Sequence, residues 1–246
     1  AEQEALEQGI LLPATEPDEL KLFLTAPEEC GSLNEYLEKF DLPLQVLQTK
    51  EAVRKAMYIL VSSLKEQGLL YAEIRFAPQL HTKKGMSQEQ VVKAALSGMQ
   101  EALIGSFFNC KLILCCMRGA DNHEENLRTV RTAATFLGRG VAAVDLAGAE
   151  ALYPTADFAD VFGLAKELGV PFTIHAGEAD GPESIQAALT FGASRIGHGV
   201  RAAEDPELLA RLKEQQIPLE MCPSSNVQTK AVATLAEHPV LDFLRR

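Results

Sequence analysis

From about residue 68 onward the chain repeats one pattern: a short apolar run, polar residues, an amphipathic stretch, then Gly or Pro. The apolar runs cover residues 69–76, 111–117, 141–146, 171–175, 195–200 and 217–222. Each is of strand length, and most place Val, Ile and Leu on consecutive positions, as strands buried on both faces do. Helix signals lie between them. Ser87 with Gln90 predicts a capping box ahead of Val91, Val92, Ala95 and Leu96. Asp121 with Glu124 predicts the same device before Leu127, Val130 and Ala134. Asp205 followed by Pro206 opens a helix over 207–215. Gly68, Gly138, Gly169 and Gly192 fall where helices should stop.

Strand–helix alternation of this kind predicts an α/β fold with a parallel sheet and right-handed crossovers. A doubly wound sheet and a barrel both fit. Polar residues follow the end of nearly every run instead of gathering at one switch point, and neither GxGxxG nor GxxxxGK occurs. Both features favour the closed form, the TIM (β/α)8 barrel, although six strands are visible where closure needs eight. Residues 1–67 differ: helices are expected to end near residue 9 and to cover 18–24, 32–40 and 45–67. They read as a helical excursion packed on the barrel, so that 1–246 forms one domain with six β/α units over 68–246.

Charge narrows the partners. Thirty-four acidic against 23 basic residues give a net charge of −11, without a dense Lys/Arg run. That balance opposes nucleic acid and anionic lipid as partners. No apolar run approaches the roughly 20 residues of a membrane-spanning helix, and no targeting segment is expected. The five cysteines form no CxxC pair, and Cys115 and Cys116 lie in an apolar run as small hydrophobes. A reducing cytoplasm is the expected compartment.

Two histidines close apolar runs, in Thr173-Ile174-His175-Ala176-Gly177-Glu178 and Arg195-Ile196-Gly197-His198-Gly199. Barrel enzymes keep their reactive groups at such strand ends, and imidazole binds zinc or moves a proton near neutral pH. Glu178 would project into the same mouth as a carboxyl able to give or take a proton. The plainer reading is that these groups only hydrogen-bond at the rim. Asp145, in or just past an apolar run and near Glu150, either orients a site group or pairs with a basic residue of a neighbouring strand. Glu73 and Arg75 alternate with apolar residues and read as structural ions inside a barrel, satisfying each other or nearby polar groups. Ser225 either hydrogen-bonds a ligand or caps the next segment. His81, His123 and His238 are expected to carry no chemistry, with His238 on a surface turn before Pro239.

The series YAEIRFAP (71–78), VDLAGAE (144–150), TIHAGEAD (173–180), RIGHGV (195–200) and LEMCPSSNVQT (219–229) resembles the bacterial adenosine deaminases. The resemblance covers essentially the whole chain and implies a zinc-dependent barrel of the metallo-dependent hydrolase type. It implies conversion of adenosine and deoxyadenosine to inosine and deoxyinosine with release of ammonia, by attack of zinc hydroxide on purine C6. It makes His175 a zinc ligand, Glu178 the acid that protonates purine N1, and His198 the residue that orients or deprotonates the attacking water. It also makes Gly148 a backbone donor to purine N3, with Asp145 near the site in a supporting role.

Two departures qualify these expectations. The family's His-x-His and its C-terminal aspartate pair do not occur, so three expected zinc ligands and the first and last strands are not among these residues. The sequence therefore reads as an internal part of a longer enzyme. Ala149 stands where many relatives have an aspartate that contacts purine N7. Other readings stay open: a deaminase of adenine, N6-modified adenosine or aminodeoxyfutalosine, or a purine-binding remnant without zinc.

Overall fold

The computed structural model describes residues 2–27 and 30–245. Six strands appear: β1 Tyr71–Phe76, β2 Asn109–Met117, β3 Val141–Ala147, β4 Thr173–Ala176, β5 Arg195–His198 and β6 Leu219–Glu220. All pair in parallel and in chain order, as β1-β2-β3 and β4-β5-β6. One parallel bridge, Val144 to Phe172, joins the two ladders, with Val144 N–H donating to Pro171 O at 3.0 Å. The order has no switch point.

The sheet curls. Flat, a six-stranded sheet would hold its outer strands about 24 Å apart. Here Arg75 of β1 pairs with Glu220 of β6, and Glu73 of β1 pairs with Arg195 of β5 at 2.6 Å. Glu73 and Arg75 thus find partners across the interior, not in each other. Thr173 Oγ1 and Arg195 Nε also approach Glu220 Oε1, at 3.4 and 3.1 Å.

Helices cover the outside of the curl. Their apolar faces meet the consecutive apolar residues of the strands in one core that includes Leu112, Leu114, Val144, Leu146, Ile174 and Ile196. The helix Lys50–Glu66 shares that core through Val53, Met57 and Val61. It lies so close to the helix Gln88–Leu103 that a Cβ on Gly98 would sit 2.0 Å from Arg54 O.

The local signals fare unevenly. The Ser87–Gln90 capping box is present, Asp205 caps through the amides of Glu207 and Leu208, and Gly192 ends its helix with φ +100°. The Asp121–Glu124 device is not: the helix begins at His123 after Asn122, whose side chain makes no cap bond. The expected 45–67 helix is broken at Leu47, where φ −83° and ψ 50° leave the helical region. Lys50–Glu66 then restarts on a Thr49 cap. The run 195–200 yields only four strand residues, because His198 and Gly199 both turn to positive φ. No helix among the described residues is long and apolar enough to cross a membrane.

Candidate active site

The site forms where β3, β4, β5 and β6 end. His175 on β4 and His198 on β5 bring their rings to 5.2 Å between centroids. The backbones approach so closely that a Cβ on Gly197 would meet His175 Cα at 3.1 Å. Past β4, Gly177 takes φ +70°, and its missing side chain leaves room for Ile185.

The turn that follows β4 is pinned from β3. The buried Glu150 carboxylate accepts from four successive amides, those of Gly177 (2.6 Å), Glu178 (3.0 Å), Ala179 (2.8 Å) and Asp180 (3.2 Å), and from Ser184 Oγ (2.5 Å). Arg118, at the end of β2, adds a second pin by donating to His175 O at 2.6 Å and to Tyr153 O at 2.6 Å. Sequence reading passed over Arg118 and took Glu150 only as a neighbour of Asp145, since an acid and a base at strand ends carry no spacing that announces their partners.

Glu178 points inward and is 5% exposed. Its Oε1 accepts from Thr229 Oγ1 at 2.8 Å and from Asn226 Nδ2 at 3.0 Å, while Oε2 lies 3.4 Å from His198 Nε2. Burial raises its pKa above the ordinary carboxylate range against those two hydrogen bonds. With both Oε1 lone pairs engaged, a proton on this carboxyl belongs on Oε2. Burial, with His175 nearby, lowers the His198 imidazole to about 3, so this ring is neutral.

Asp145 touches both a basic residue of a neighbouring strand and the His175 ring. It is fully buried, and its Oδ2 meets Arg75 Nη1 at 3.2 Å and His175 Nδ1 at 2.8 Å. Burial opposes its ionisation, but His175 and Arg75 outweigh that and hold its pKa low. The contact to His175 is of ion-pair length without hydrogen-bond geometry, leaving Nδ1 a buried nitrogen without a hydrogen bond. Among the described residues His175 is thus an imidazole with neither nitrogen hydrogen-bonded, whereas His81, His198 and His238 each have a partner. That is the donor a metal could take. No group of three His, Cys, Asp or Glu among the described residues is placed to hold an ion, so His175 fits one corner of a metal site and these residues do not complete it.

The remaining expectations separate. Gly148 takes φ +110° at the end of β3, so glycine is required there by backbone conformation, a Cβ meeting Arg118 only at ordinary contact distance. Ser225 is half-buried in the helix Pro223–Gln228, and its hydroxyl joins no hydrogen bond among the described residues. Its neighbour Asn226, fully buried, enters the site instead. His81 is a core residue bonded to Leu47 O at 2.7 Å, and His123 lies on the surface near Asp160. His238 corrects the surface-turn expectation: it is 6% exposed, and its Nε2 is 3.1 Å from Asn226 Oδ1. Cys115 and Cys116 are buried thiols whose pKa burial raises, as expected of core residues.

A curled parallel sheet with imidazoles and a raised-pKa acid gathered at its carboxyl edge has the layout of an α/β enzyme site. Comparison with known proteins gives the family. The adenosine deaminase family model matches residues 3–246. Adenosine deaminase of Haemophilus ducreyi is 54% identical, over 98% of this chain and 72% of the relative. That of Enterococcus faecalis is 43% identical, over 98% and 71%. Among solved structures, adenine deaminase from Arthrobacter aurescens superposes with a TM-score of 0.87 at 28% identity, covering 99% of this chain and 73% of that one. The chain belongs to the adenosine deaminase family, whose members are hydrolytic deaminases.

Proposed function

We propose that the protein hydrolyses the 6-amino group of adenosine and deoxyadenosine, giving inosine or deoxyinosine and ammonia. The observation that carries this reading is Glu178: a buried carboxyl with Oε1 filled by two donors and Oε2 left facing the site beside His198. Protonated at Oε2, it delivers its proton to purine N1, so that negative charge does not build up on the ring as C6 is attacked. His198 Nε2, beside that oxygen, steers the attacking water. Gly148 offers its backbone N–H to purine N3, and Ser225 stands ready for a ligand hydrogen bond. Asp145 holds the His175 ring.

His175 would hold zinc as one of its ligands. Bound there, zinc would lower the pKa of a coordinated water to about 7 and so supply a nucleophile at neutral pH. The fold we infer is a sector of a TIM barrel of the metallo-dependent hydrolase type, with residues 1–246 as one domain. The absence of a switch point and the ion pairs across the interior support it. The five free cysteines suit a cytoplasmic setting.

Substrate profiling of the zinc-loaded enzyme tests the reading, with adenosine and deoxyadenosine expected ahead of adenine and N6-methyl-AMP. Glu178→Gln should lower kcat by about 10²- to 10⁴-fold while nucleoside still binds; near-normal turnover removes Glu178 from the mechanism. His175→Ala should lose zinc as well as rate, and a fully loaded variant refutes the ligand assignment.

A further inference from the structure

The hydrogen bonds around Asn226 have a direction that one backbone amide sets. Val240 N–H lies 3.2 Å from His238 Nδ1, and an amide N–H only donates. His238 Nδ1 is therefore bare, and the neutral ring carries its proton on Nε2. That proton faces Asn226 Oδ1 at 3.1 Å. The oxygen end of the amide is thereby committed to His238, which leaves the nitrogen end for the site.

Asn226 Nδ2 has two hydrogens and two acceptors. One hydrogen goes to Glu178 Oε1 at 3.0 Å and the other to His198 Nδ1 at 2.9 Å. The Asn226 side chain is fully buried, so the amide has no water to turn towards. Because Nδ2 only donates, His198 Nδ1 must accept. A neutral His198 then carries its proton on Nε2, 3.4 Å from Glu178 Oε2.

We propose that His238, acting through the Asn226 amide, is a positioning residue that locks His198 in the tautomer with a bare Nδ1 and a protonated Nε2. The inference rests on the reading of His198 as the residue beside the attacking water, and it sharpens that role. In this tautomer His198 presents a hydrogen-bond donor to its surroundings and has no lone pair with which to take a proton. It orients the water and leaves its deprotonation to other groups. The same amide holds Glu178 Oε1 as an acceptor, so one side chain assigns the polarity of both neighbours. The backbone is unusual at the same residue: His198 is held at φ 62°, a conformation uncommon outside glycine.

The test reads the ring directly. Enzyme labelled with 15N in its histidine rings, with His198 assigned by comparison with His198→Asn, should show an unprotonated Nδ1 and a protonated Nε2 near neutral pH. A protonated Nδ1 in the unaltered enzyme overturns the proposal, whatever the variants do. His238→Ala should disturb the His198 ring signals and lower kcat about 10- to 100-fold, the usual cost of losing a residue that orients a site histidine. KM should change little. His238→Gln, which keeps a donor for Asn226 Oδ1, should recover most of the rate and the original tautomer. If both variants lose rate equally with the His198 signals unchanged, His238 serves only the fold and the proposal fails. Should His238→Ala not fold, the spectrum of the unaltered enzyme and of His238→Gln still decides. Because the spectrum needs no turnover, its result stands apart from whether adenosine is the substrate.

Discussion

The two ladders of the sheet do different work. β1, β2 and β3 run for 6, 9 and 7 residues, and β2 is buried continuously from Leu112 to Cys116. β4, β5 and β6 have 4, 4 and 2 residues. The first ladder is held by long main-chain pairing, with one register shift between Leu112 and Ile113, and an apolar core. In the second, pairing stops early, and side chains take over: Glu150 binds the turn after β4, and Asn226 links the ends of β4 and β5 to the segment beyond β6. Short strands leave their polar side chains clear of the ladder, at the price of needing dedicated partners to hold them. Both ladders share the apolar core, but most of the site's side chains gather at the ends of the second.

Removing the Glu150 carboxylate should do most to erase the difference. Glu150→Ala strands two buried and two half-buried amides, and a loss of about 4 kcal/mol is expected. With the turn loosened, kcat should drop together with stability, as urea unfolding and steady-state rates would show. A variant that unfolds normally and keeps its rate would mean that the turn holds its shape unaided. On the other side, Leu114→Ala empties a fully buried site in β2. It should cost about 3 kcal/mol while the folded enzyme turns over normally. A parallel fall in kcat at full folding would dissolve the division of labour. The smallest effect is expected from Ser87→Ala, which removes the capping box of the helix Gln88–Leu103 and should cost about 1 kcal/mol without touching the rate.

What the sequence made legible follows the same divide. The first ladder could be read closely because its strands are apolar on consecutive positions: 141–146 was expected and Val141–Ala147 is found. In the second, 217–222 was expected and only Leu219–Glu220 pairs, since a run of apolar residues does not reveal where a positive φ or a helical turn will end a strand. His175, Glu178 and His198 were visible because histidine and glutamate beside glycines at strand ends are unusual. Asn226, Thr229 and His238 were not, because their roles exist only through contacts of up to 51 residues in separation. Hydropathy placed His238 at the surface beside Pro239; a hydrogen bond to Asn226 keeps it inside. The positive φ of Gly148, which by itself calls for glycine, could not be read from the sequence.

The turn after β4 has a meaning beyond support. Successive amides converging on one point make a receptor for anions, the device by which many parallel sheets grip phosphate. Here the guest is built in: Glu150 occupies the receptor, and the amides from Gly177 to Asp180 are spoken for before any ligand arrives. A phosphorylated compound gains nothing from them and meets a resident negative charge instead. The fold has closed this phosphate-type cradle with its own carboxylate.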